Sequence, residues 1–126
     1  MPLNRKIAYV DLSNRQVDVK PIPKELRQRY LGGRGIDMYL LYNHVRPGID
    51  PMSPENVLLV SAGLLAGSPA PASGRGHIGG KSPLTGIVGS SNMGGFFASE
   101  LAFAGFHHLL MSGRSDKPVL CYQAVI

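Results

Sequence analysis

The chain has 126 residues, 44% of them hydrophobic, and a formal net charge of +5. That is one domain with enough apolar mass to bury a core, which excludes a wholly disordered chain. The single cysteine, Cys121, excludes an internal disulfide and a four-thiolate iron–sulfur site built within the chain, and it agrees with a cytoplasmic location.

Lys6 to Leu12 reads as a strand, Ser13-Asn14-Arg15 as a turn, and Gln16 to Ile22 as a second strand. Val17 and Val19 alternate with Asp18 and Lys20, the pattern of a half-buried hairpin. Pro23 to Leu31 is a short helix stopped by Gly32-Gly33, and Gly35 to His44 is a second helix with Ile36, Leu40 and Leu41 on its apolar stripe. His44 near its C-terminus suits the helix dipole.

After a polar loop to Asn56, Val57 to Ala62 is apolar on both faces, as a central buried strand is. Gly63 to Gly74 is loop, Gly76 to Gly80 a short strand, Lys81 to Gly86 a turn, and Ile87 to Ser91 a small-residue strand. Asn92 to Gly105 is expected to be a helix capped by Asn92, with Phe96, Phe97, Phe103, Leu101 and Ala104 as core. Strands His108 to Ser112 and Pro118 to Ile126 follow, joined by a turn. Cys121 would be inert core in the last strand. That strand is an apolar edge in need of a partner, either another chain segment or a second copy in a homo-oligomer. No stretch approaches the roughly 20 apolar residues of a membrane span.

Between Asn56 and Ser99 there is no carboxylate, and ten of the sixteen glycines fall there. The charged side chains in that stretch are Arg75 and Lys81. Glycine lets backbone N–H groups approach a ligand, and the missing carboxylates remove repulsion toward an anion. Arg75 offers bidentate recognition of phosphate, and Asn92 with Gly94 and Gly95 offers amide groups. Lys81 reads as a solvated turn lysine. His107 and His108 read as surface or packing residues, because no cysteine or carboxylate accompanies them at ligand spacing.

Standard nucleotide motifs fail here. Gly74 to Gly79 matches G-x-G-x-x-G in letters, but no helix follows it. Arg75 to Ser82 nearly matches a P-loop, but position 75 is not glycine and Pro83 would interrupt the helix that must follow. Basic and aromatic residues are not interleaved as single-strand nucleic-acid binding requires, so no nucleic-acid partner is expected.

Six segments occur together in order: Leu31-Gly-Gly-Arg-Gly35, Pro51-Met-Ser-Pro-Glu-Asn56, Ser73-Gly-Arg75, Lys81-Ser-Pro-Leu-Thr-Gly86, Asn92-Met-Gly-Gly95 and Glu100-Leu-Ala-Phe-Ala-Gly105. With them the chain resembles the N-terminal domain of the aldehyde:ferredoxin oxidoreductase family, tungsten or molybdenum bis-pterin enzymes, over essentially its whole length. The resemblance implies an α+β fold, mostly antiparallel β-sheet with a few short helices, and one domain over residues 1–126 that is a fragment or split part of a longer enzyme. It implies oxidation of aldehydes to carboxylic acids, with electrons passed through a [4Fe-4S] cluster, ligated outside this chain, to ferredoxin. By motif position, Arg75 would contact a pterin, Asn92 would meet the cofactor and give its backbone carbonyl to Mg²⁺, and Gly94 would contact the pterin through its backbone. Gly63-Leu-Leu-Ala-Gly67 and the glycine-rich run after Arg75 depart from the family pattern. No catalytic residue is assigned within the chain, which alone should be inactive. The alternative is a non-catalytic binding module that kept the fold and lost the cofactor.

Overall fold

The computed structural model describes residues 5–121. Its elements in chain order are β1 (Lys6–Asp11), β2 (Gln16–Pro21), α1 (Lys24–Tyr30), α2 (Arg34–His44), β3 (Val57–Ala62), β4 (Gly76–Lys81), β5 (Val88–Met93), α3 (Phe97–Phe103) and β6 (Phe106–Ser112). The strands form one six-stranded sheet in the order β2-β1-β6-β3-β4-β5. The β1–β6 pair is parallel and the other pairs are antiparallel. The expected α+β class, mostly antiparallel with short helices, is the observed one.

Helices cover both faces of the sheet. On one face α1 and α2 pack through Leu26, Ile36, Leu40 and Leu41 against Ile7, Val57, Leu59 and Leu110. On the other, α3 lays Ala98, Leu101 and Ala102 over Ala62, with Phe106 and Leu109 beside it. The strand alternation sorts these sets: Leu59 and Leu110 are register partners facing α2, while Val60 and Leu109 form the next pair and face α3. The tight α1–α2 junction needs glycine at 35, because a Cβ there would collide with the Tyr30 carbonyl oxygen. The dipole reading of His44 holds in detail, with its Nδ1 2.8 Å from the Leu40 carbonyl in the last turn of α2.

Several local expectations fail for identifiable reasons. The expected helix starting at Asn92 begins five residues later. Asn92 belongs to β5, and α3 has Phe96 as its N-cap with no side-chain cap hydrogen bond. Ladder pairing of Asn92 with His77 outcompetes local capping propensity. With so short a helix, the inward stripe is limited to Ala98, Leu101 and Ala102. Phe96, Phe97 and Phe103 therefore stand exposed rather than in the core, Phe96 at 85%. Every residue of β2 is exposed, Val17 and Val19 included, because nothing among the described residues covers that end of the sheet. Lys81 is not a solvated turn residue. It ends β4, is half-buried, and donates from Nζ to the Ile49 carbonyl at 2.6 Å. Cys121 is an exposed free thiol outside any strand, and residues 118–121 are irregular. The remainder of the expected last strand lies outside the described residues.

Candidate functional site

The expected site residues meet at one corner of the sheet. Arg75 immediately precedes β4, Asn92 is the penultimate residue of β5, and Gly94 follows β5. Gly76 pairs with Met93, so Arg75 and Gly94 sit one residue beyond that pair on neighbouring chain segments. The chains stay close there: a Cβ on Gly74 would lie 3.1 Å from the Gly95 carbonyl oxygen. Arg75, Asn92 and Gly94 are all exposed. A Cβ built on Gly94 or Gly95 meets nothing within 4 Å, so the corner opens to space rather than to packed atoms.

Strand pairing also sets the direction of the backbone groups. Gly63 N–H donates to the Arg75 carbonyl at 2.9 Å, so the odd-numbered residues of β4 turn their backbone groups toward β3. The even-numbered ones turn toward β5, as the bond from Ser82 N–H to the Ile87 carbonyl at 2.8 Å also shows. His77 and Asn92 are therefore a non-hydrogen-bonded pair. The backbone N–H and C=O of Ser90 and Asn92 then point away from β4, toward the outer edge of the last strand in the sheet.

Directly inside this corner is a buried polar network that the sequence reading missed. His108, Ser61 and His77 lie in one row across β6, β3 and β4, and Asn92 continues the row on β5. Side chains opposite one another leave the sheet on the same side, here the α2 side. Asp37 of α2 sits over the row, fully buried. Its carboxylate accepts from the Ser61 hydroxyl, from His77 Nδ1 at 2.6 Å and from His108 Nδ1 at 2.7 Å. An ionised carboxylate only accepts, so both imidazoles carry hydrogen on Nδ1. The other nitrogen of His77, Nε2, is 2.9 Å from the hydroxyl of Ser90 on β5. The stretch without carboxylates in sequence thus has one beneath it in space, with its acceptor capacity turned inward.

The glycines have a second cause besides ligand approach. A Cβ on Gly63 would stand 2.7 Å from the Arg75 carbonyl oxygen, and one on Gly80 2.9 Å from that of Val57. A Cβ on Gly79 would press on His77 Cε1 and Met38 Cε, each 3.0 Å away. Part of the glycine enrichment therefore makes room for the sheet's own backbone and for the buried imidazole.

His107 precedes His108 in β6, at the irregularity in its pairing with β1, and is buried with no partner for Nδ1. Burial, then Arg5 and His108, push its pKa down to about 4. It lines a cavity of about 680 Å³ with Arg5, Arg27, Leu64 and Phe103, apart from the Arg75–Asn92–Gly94 corner. No group of three or more His, Cys, Asp or Glu side chains among the described residues is arranged to hold a metal ion, and none of the described helices is long and apolar enough to cross a membrane.

The fold and this corner define a class, and residues 7–124 match the family described as aldehyde ferredoxin oxidoreductase, N-terminal domain. The chain belongs to that family of oxidoreductase domains. It is 43% identical over 113 residues to the tungsten-containing aldehyde ferredoxin oxidoreductase of Pyrococcus furiosus, covering 90% of this chain and 19% of that protein. The enzyme of the same name from Thermococcus kodakarensis is 42% identical over the same shares. An aliphatic sulfonate oxidoreductase, WOR-like subunit, of Pyrococcus furiosus is 29% identical over 122 residues. Among solved structures, the active site complex BamBC of benzoyl coenzyme A reductase, in complex with 1,5-dienoyl-CoA, superposes with a TM-score of 0.87 at 36% identity, over 89% of this chain and 17% of that one. The chain spans about a fifth of the length of the curated relatives it matches.

Proposed function

We propose that this chain is the cofactor-binding N-terminal part of a tungsten (or molybdenum) pterin oxidoreductase that converts aldehydes to carboxylic acids. The observation that carries the proposal is the convergence of Arg75, Asn92 and Gly94 at an open corner of the sheet. The donor set fits the phosphate end of a pterin. Arg75 brings a planar guanidinium, Asn92 a carboxamide, and residues 57–98 bring no opposing carboxylate. The outward backbone carbonyl of Asn92 suits a hard cation such as Mg²⁺, which takes oxygen ligands and shares them with substrate or cofactor phosphates. Gly94 leaves room for a flat ring to approach its backbone.

When bound, the metal pterin supplies the redox chemistry. The residues of this chain orient and hold it. The [4Fe-4S] cluster does not fit here, since Cys121 is the lone cysteine. Its ligands, the substrate pocket and the ferredoxin-facing surface belong to sequence beyond this domain, so the isolated chain is inactive. Relatives named for an aliphatic sulfonate and for benzoyl coenzyme A share the domain, which therefore accompanies more than one substrate. The higher identity to the aldehyde enzymes favours an aldehyde.

The test is metal analysis of the full-length protein, wild type against Arg75→Ala. Lower tungsten or molybdenum per chain in the variant is expected. Unchanged metal content with unchanged aldehyde oxidation would remove Arg75 from the site.

A further inference from the structure

We infer that Ser90 is a further ligand-facing group of the β4–β5 corner, and that His77, held by Asp37, is its positioning residue. The inference rests on the reading of that corner as the cofactor site. Ser90 and Asn92 are two apart on β5, so their side chains leave the strand on the same side, about 7 Å apart along it. Both also turn their backbone groups to the sheet edge. Ser90 is exposed, while the imidazole behind it is buried.

The hydrogen bonds fix what Ser90 can offer. Asp37 takes the Nδ1 hydrogen of His77, which settles the tautomer and the ring orientation. Nε2 of the same ring meets Ser90 Oγ at 2.9 Å. A hydroxyl has one donor and two acceptor directions. With its hydrogen on Nδ1, His77 accepts at Nε2, so the Ser90 O–H donates to it and the oxygen is held in place. Its two lone-pair directions are left for a ligand N–H or a hard cation rather than for a phosphate oxygen. Gly79, the register partner of Ser90, keeps this line open, because a Cβ there would press on His77 Cε1. A serine on an exposed edge strand would otherwise rotate freely in water. A buried Asp–His pair aimed at its hydroxyl is a costly arrangement for a residue that only faces solvent.

Threonine and valine have the same shape and both suit a strand, so they separate the hydroxyl from packing. The experiment follows the tungsten retained per chain by the full-length protein during dialysis against a chelator, for wild type, Ser90→Thr, Ser90→Val and Arg75→Ala. Ser90→Val is expected to lose tungsten about fivefold faster than wild type, the size of one lost hydrogen bond between neutral groups. Ser90→Thr should stay within about twofold of wild type, since it keeps the bond. A second readout is the ¹⁵N shift of His77 Nε2 in histidine-labelled protein, expected to move in Ser90→Val and not in Ser90→Thr. Equal loss in Ser90→Val and wild type, or equal loss in Ser90→Thr and Ser90→Val, overturns the role of the hydroxyl. A His77 signal insensitive to Ser90→Val overturns the positioning. If Arg75→Ala also keeps its tungsten, the corner itself is not the cofactor site and the inference falls with it.

Discussion

His77 and Asn92 stand opposite each other on β4 and β5 and leave the sheet on the same side. One belongs to a buried network closed by Asp37, and the other is exposed at the proposed cofactor corner. The corner is thus backed by a fixed polar layer that ties α2, β3, β4 and β6 together, rather than by an apolar core. Rigidity at a binding surface favours affinity because less side-chain freedom is lost on binding.

The network makes Asp37 the most sensitive polar residue of the domain. Replacing it by alanine leaves two buried imidazole N–H groups and the Ser61 hydroxyl without their acceptor. Asp37→Ala is expected to cost about 3 kcal/mol or more, since each buried donor left without its acceptor costs about 1–3 kcal/mol. Ser61→Ala removes one donor and leaves Asp37 with two, so its expected cost is about 1 kcal/mol. Urea unfolding of the two variants measures the difference, and equal midpoints would contradict the arrangement.

His107 gives the fold a sensitivity to acid. Its folded pKa is about 4 against an ordinary 6.5, chiefly because burial penalises the charged ring. Between those values the unfolded chain binds a proton that the folded chain does not. The contribution of His107 is therefore fully present above pH 6.5 and is lost as pH falls toward 4. His107→Leu should flatten the fall in stability across that window relative to wild type. Thermal melts at several pH values between 7 and 4 test it. A parallel decline in both proteins would show that other groups set the slope.

Much of the fold was legible because periodicity reports burial directly. The apolar run of β3 marked a buried strand and Ile36, Leu40 and Leu41 marked the inner face of α2, while the alternation in β2 marked a strand whose two faces are both exposed. The order of short motifs pointed to Arg75, Asn92 and Gly94, which the fold then brings to one corner. The Asp37 network was not legible. Its members are 24, 40 and 71 positions from Asp37, and no local spacing joins them. The signal available was Asp37 on the helix face shared by Leu40 and Leu41, a charge on an apolar stripe that needs buried partners. Asn92 misled because a good N-cap residue before a glycine pair looks the same whether it starts a helix or ends a strand.

The Gly63–Arg75 approach links β3 to the proposed site. Gly63 N–H donates to the Arg75 carbonyl, and a Cβ on Gly63 would press on that same oxygen at 2.7 Å. Backbone is hard to displace, so Gly63→Ala must shift the segment that carries Arg75. The expected cost is about 1–3 kcal/mol, the usual range of overpacking. Metal content of the full-length variant should fall as well, because the guanidinium moves with its backbone. Lower stability with wild-type metal content would separate the strand contact from the site.

The exposed apolar groups predict how residues 1–126 behave when expressed alone. Leu84 is 93% exposed, Phe96 85% and Ile87 68%, on the turn before β5 and the segment after it. β5 is also the last strand of the sheet, with outward backbone groups ready to pair. These groups stand at the two ends of β5, and exposed apolar side chains beside an open strand edge suit pairing with another chain segment. Left uncovered, they should drive the isolated domain to associate with itself. Burying one leucine or phenylalanine side chain contributes about 1.5–3 kcal/mol, so Leu84→Ser and Phe96→Ser should each weaken association by about tenfold or more. Sedimentation velocity over a concentration series measures this. Unaltered association in the double variant would place the interface elsewhere, with the exposed β2 valines, Val17 and Val19, as the next surface to test.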